Sequence, residues 1–102
     1  MVPIRQHKVA IEVVQETEVP GGWLHTVRIS RPESTTTTHD VRLAWVDHEY
    51  WCGGALPPSR VTAAVVDCLV GYEPIIELPP RFDASTARRW VPGIDDQLAR
   101  VL

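Results

Sequence analysis

A single α+β domain is the fold this sequence predicts: a three-stranded antiparallel meander (β-β-β-α) covered by one main helix, with short helices at the C-terminal end. Three observations predict it. Apolar residues alternate with polar ones through the first 46 positions, as in strands with one buried face. From residue 58 the period changes to the three- and four-residue spacing of a helix. A chain of 102 residues can bury about 65% of its unfolded surface in one compact body, so one core, and one domain over 1–102, is expected.

The first strand is expected over His7 to Glu16, where Val9, Ile11 and Val13 share one face and Lys8, Ala10, Glu12 and Val14 the other. Pro20-Gly21-Gly22 supplies a turn, and Trp23 to Ser30 alternates again through Trp23, His25, Val27 and Ile29. A polar stretch, Arg31 to Ser34, leads to a third strand with Val41, Leu43 and Trp45 on one face and Asp40, Arg42 and Ala44 on the other. The threonine run at 35–38 suits exposed strand positions.

Asp47 to Trp51 fits one short helical turn with Asp47 as N-cap, stopped by Gly53-Gly54. Pro57-Pro58 opens the main helix, because proline in the first turn forfeits no intrahelical hydrogen bond. Val61, Ala64, Val65, Cys68 and Leu69 form its apolar stripe, widened by Ala63, Val66 and Val70, and Gly71 is the expected stop. Ile75 to Leu78 reads as extended up to Pro79-Pro80. Asp83 can cap a short helix to Trp90, and Asp95 or its neighbour a last one through Leu98 and Val101.

Composition excludes several classes of function. A net charge of -3 gathers neither nucleic acid nor anionic lipid over the surface as a whole. No apolar run approaches the ~20 residues of a membrane span, and the first twenty residues lack a signal-peptide pattern, so a cytoplasmic protein is expected. Two cysteines, Cys52 and Cys68, are too few for a disulfide-stapled scaffold and read as reduced thiols.

Chemistry-bearing constellations are sparse. The four histidines fall on separate elements with no zinc-ligand spacing. Only His25 and His39 could face each other, were strands two and three paired around Pro32-Glu33, and one residue of slip would part them. Cys52 precedes two glycines and follows His48 by four residues, a thiol-and-base arrangement that the packing residues Tyr50 and Trp51 argue against. Cys68, on the apolar stripe, is expected to be buried with a raised pKa. Asp95-Asp96 suits a helix start better than acid–base work. Neither glycine pair has the lysine and hydroxyl of a phosphate loop.

Arg81, Arg88 and Arg89 form the one basic concentration, with Trp90 beside it. Three arginines on a net-acidic domain disfavour RNA binding, and tryptophan with arginine is instead the composition of protein–protein hot spots. Of the four tryptophans, Trp45 and Trp51 are expected to close the ends of the layer. Trp23, Arg88, Arg89 and Trp90 are the candidate binding residues.

The order His39-Asp40-Val41-Arg42-Leu43, Glu49-Tyr50-Trp51 with Gly53-Gly54, Pro58, Glu73-Pro74, Ile75 to Leu78, Arg81-Phe82-Asp83 and Arg89-Trp90-Val91-Pro92 resembles a group of small prokaryotic proteins over about residues 39–100. The resemblance implies an α+β fold and carries no activity or cofactor. The expected function is a non-enzymatic protein-interaction module, with a protein partner or a second copy of itself. A small metal-binding protein or thiol enzyme using His25 with His39, or His48 with Cys52, is the alternative.

Overall fold

The computed structural model describes residues 9–32, 35–72 and 77–102. The expected strand start at His7 and Lys8, the turn residues Glu33 and Ser34, and residues 73–76 lie outside that range. Strands β1 (Ala10–Val19), β2 (Gly22–Ser30) and β3 (Thr36–Ala44) form the antiparallel meander. They are followed by α1 (Trp45–Cys52), α2 (Pro58–Val70), β4 (Arg81–Asp83), a single 3-10 turn (Ala84–Thr86), α3 (Ala87–Trp90) and α4 (Ile94–Val101).

The fold is α+β as expected, but the sheet has four strands and is mixed. β4 adds to the free edge of β3 in parallel, with Val41 opposite Phe82 and the Asp40 amide donating to the Pro80 carbonyl at 2.8 Å. In Arg81-Phe82-Asp83 only the middle side chain turns inward, and Phe82 is buried.

The inner face of the sheet is built from Ile11, Val13, Val27, Ile29, Val41 and Leu43, and α2 lies across it with Val61, Val65, Val66 and Leu69. This is the predicted helix-on-sheet layer. Ala84, Ala87, Val91, Ile94 and Leu98 from the C-terminal turns complete the core. The outer face of the sheet carries a polar ladder: Glu12 with Arg28 (3.2 Å), Asp40 with Thr26 (3.0 Å) and Arg81 (3.5 Å), and Asp83 with Arg42 (3.1 Å).

Two register details position the histidines and glutamates of the sheet. β1 carries a bulge between Val13 and Gln15, so that Val14 is the extra residue and the inward phase changes. Before it Val13 faces inward opposite Val27; after it Glu16 and Glu18 do, opposite His25 and Trp23. The β2–β3 hairpin pairs His25 with Val41 and His39 with Val27, two positions from the register that would set the histidines opposite one another. The connection closes with the Arg31 amide on the Thr35 carbonyl (2.8 Å), farther along than a turn at Pro32-Glu33.

Helix ends differ from expectation at two places. α1 begins at Trp45, and Asp47 lies inside its first turn, buried, rather than at the cap. Gly53 ends α1 as predicted, in the left-handed conformation (φ 63°) that avoids a side-chain clash only for glycine. Gly93, not Asp95, precedes α4, and Asp95 and Asp96 occupy its first turn. Asp83 does cap the chain after β4, accepting from the Ser85 amide (2.9 Å) and hydroxyl (2.8 Å). Glu77 and Leu78, expected as extended, belong to no helix and pair with no strand.

Candidate interaction surface

α1 is held from one side and open on the other. Residues four apart share a helix face, and Asp47 and Trp51 are the inward pair. The Trp51 indole donates to Asp95 Oδ1 at 2.7 Å, and the Arg88 guanidinium bridges Asp47 (3.1 Å) and Asp95 (3.1 Å). Arg88 also lies over the Trp51 ring, 4.6 Å from its centroid, and 5.5 Å from that of Tyr50. Burial pulls the Arg88 pKa down, but the hydrogen bonds and charges of Asp47 and Asp95 outweigh it, and the net shift is upward.

The outward face carries Trp45, Val46, Glu49 and Tyr50. Trp45 is 60% exposed, Val46 71% and Tyr50 66%. Val14 and Val101, the other large exposed apolar residues among those described, lie on β1 and α4. Beside Tyr50 an open hollow of about 330 Å³ is lined by Arg88, Val91, Ile94, Asp95 and Asp96.

The candidate binding residues are distributed differently from expectation. Arg88 is committed to Asp47 and Asp95, and so organises the surface from beneath. Arg89 is exposed. Trp90 is half-buried against Phe82, ring centroids 5.5 Å apart, and Trp23 is half-buried edge-on to His48 at 5.1 Å. Trp51 closes the layer as expected, whereas Trp45 does not: α1 starts at that residue and turns it outward. Counting the helix from Trp45 instead of Asp47 would have exposed this signal, because the i, i+4 rule then sends 47 and 51 inward and 45, 46 and 50 outward.

His25 and His39 share the inner face but are engaged separately. The Glu16 carboxylate can only accept, which puts a proton on His25 Nε2 (2.8 Å); in the neutral ring Nδ1 then accepts from the Thr62 hydroxyl (2.8 Å). His39 Nδ1–H donates to the Pro79 carbonyl (2.7 Å), and its Nε2 accepts from Thr37 (2.9 Å). His48 Nε2–H donates to the Leu56 carbonyl at 2.7 Å, and Cys52 is half-buried near the end of the same helix. No group of three histidine, cysteine, aspartate or glutamate side chains among the described residues is placed to hold a metal ion. Cys68 is half-buried, and burial, then the neighbouring Asp67 carboxylate, push its thiol pKa up.

Among the described residues no helix is long and apolar enough to cross a membrane. No family model, curated protein or solved structure matches the chain.

Proposed function

We propose that this chain is a protein-interaction module that docks its partner on the outward face of α1 and acts by binding rather than by bond chemistry. The observation that carries the reading is the adjacency of Trp45, Val46 and Tyr50, all more than half exposed, on a helix whose opposite face is pinned by Asp47 and Trp51. Large aromatic side chains on a rigid support bury much apolar area for little lost conformational freedom, which is why tryptophan and tyrosine dominate binding hot spots. A contiguous exposed apolar patch on a domain with this small a core needs such an account; single exposed residues do not. Of the candidate residues, Arg88 and Trp23 contact α1, through Asp47 and His48, whereas Trp90 packs on Phe82 and Arg89 stands exposed beside Arg88.

The test compares wild-type protein with a Trp45→Ala/Tyr50→Ala variant, by affinity capture and by sedimentation velocity. The expected result is that partners captured by the wild type, or its self-association, are lost in the variant while the circular dichroism spectrum is retained. Equal capture by both proteins, with both sedimenting as monomers, would sink the reading.

A further inference from the structure

We infer that the partner presents a basic amphipathic segment, in which aliphatic side chains meet Trp45, Val46 and Tyr50 while lysine or arginine side chains meet a surrounding rim of carboxylates. The inference rests on α1 being the docking face and adds the chemistry of its occupant. α1 carries Asp47 and Glu49 and no lysine or arginine. Asp95 and Asp96 face the same side from the first turn of α4, where Asp96 lines the hollow next to Tyr50. Glu18 is placed on this side by the β1 bulge: it pairs in register with Trp23, whose ring packs on His48 of α1.

Arg88 is the cation set among these groups, and it is shared between Asp47 and Asp95. Glu18, Glu49 and Asp96 are exposed and form no ion pair among the described residues. The arginines of the sheet are paired on its outer face, Arg28, Arg42 and Arg81 each with a carboxylate, although Arg42 also donates to the Pro20 carbonyl (3.1 Å), in the turn whose Gly21 carbonyl accepts from the Trp45 amide. Arg89, exposed on α3 next to Arg88, also forms no ion pair among the described residues, but one such cation does not offset Glu18, Glu49 and Asp96.

Charge complementarity then decides among occupants. A second copy docked about a two-fold axis through α1 would set Glu49 and its rim against themselves, and like charges across an interface disfavour it. Anionic lipid and nucleic acid are repelled by the same rim. A cationic segment is attracted to the rim, and its arginine or lysine groups can also lie on the exposed Trp45 and Tyr50 rings.

The experiment titrates isotope-labelled full-length protein with two synthetic helical peptides that share a leucine face, one bearing arginine on its polar face and the other glutamate. Binding of the arginine peptide at least tenfold tighter than its twin, with shifts in the Trp45–Cys52 amides and the Trp45 indole, is expected. That affinity should fall severalfold on raising salt. Trp45→Ala/Tyr50→Ala should abolish the shifts, and Glu18→Arg/Glu49→Arg should reverse the preference, each variant retaining the wild-type circular dichroism spectrum. Equal binding of the two peptides, shifts away from α1, or binding to vesicles of anionic phospholipid instead would overturn the cationic occupant. Sedimentation of the wild type as a dimer dispersed by Trp45→Ala/Tyr50→Ala would also overturn it while leaving α1 as the docking face; no peptide binding together with a monomer would count against both.

Discussion

Arg88 is the residue on which the polar contacts between α1 and α4 converge. Its guanidinium holds two carboxylates from different elements and covers an indole, a combination that needs a planar, multi-donor cation. Arg88→Ala leaves the mostly buried Asp47 without a counter-charge. Since Arg88 itself remains about a third exposed, solvent screening reduces the cost below that of a fully buried pair, to about 2 kcal/mol in urea unfolding. Arg88→Lys should restore only part of it. A buried hydrogen bond is at stake in the core: Thr62→Val removes the hydroxyl bonded to His25 Nδ1, and an expected loss of about 1–2 kcal/mol follows from leaving that ring nitrogen without its partner. Cys68 gives a pH signature. Its folded pKa lies above its ordinary value of 9.0, so the protonated thiol favours the fold. That contribution is complete below the unfolded value and is lost as pH rises through the folded one. Wild type should therefore lose more stability than Cys68→Ser on going from neutral to strongly alkaline buffer, read from unfolding midpoints. The sequence showed Cys68 on an apolar stripe and hence its direction of shift. It could not show Arg88's partners, which come from residues 41 positions before and seven after.

At the scale of elements, close approach of two strands explains one glycine. Gly22 starts β2 with its backbone against β3: a Cβ there would lie 2.2 Å from the Leu43 carbonyl oxygen, so Gly22→Ala must push two strands apart. A large loss of stability, or no folded protein at all, is the expected result on thermal melting. By contrast, Trp45→Ala and Tyr50→Ala remove side chains that touch mostly water, and each should change stability by no more than about 0.5 kcal/mol. β2, β3 and α2 were legible because their patterns run unbroken, and Pro58 and Gly53 mark boundaries by backbone chemistry alone. β1 was legible only in part, since a period counted through Val14 misassigns every later side chain; the bulge is what brings Glu16 to His25. β4 hid because three residues, two of them charged, give little alternation to read. α1 was misplaced by two residues because Asp47 is a good capping residue in isolation, and tertiary pairing with Arg88 claimed it instead.

For the molecule as a whole, the layers predict where stability is stored. β2 lies between two strands and under α2, with Val27 and Ile29 fully buried, whereas β1 is an edge strand with mostly exposed side chains. Amide hydrogen exchange should accordingly be slowest in β2 and the inner part of β3, and fastest on the outward-facing amides of β1. The class of fold followed from patterning, because one-sided burial imposes periodicity wherever strands and helices meet. The exposed aromatic face of α1 did not, because exposure of a large aromatic residue is settled by which turn of a helix it falls on. The convergence of Trp51 and Arg88 on Asp95 has a practical corollary. A protease cut after Gly93 would spare every strand and every residue of the aromatic patch, yet it would withdraw the mooring under α1. The binding proposed for α1 would then be silenced by a cut that removes none of the residues proposed to touch the partner.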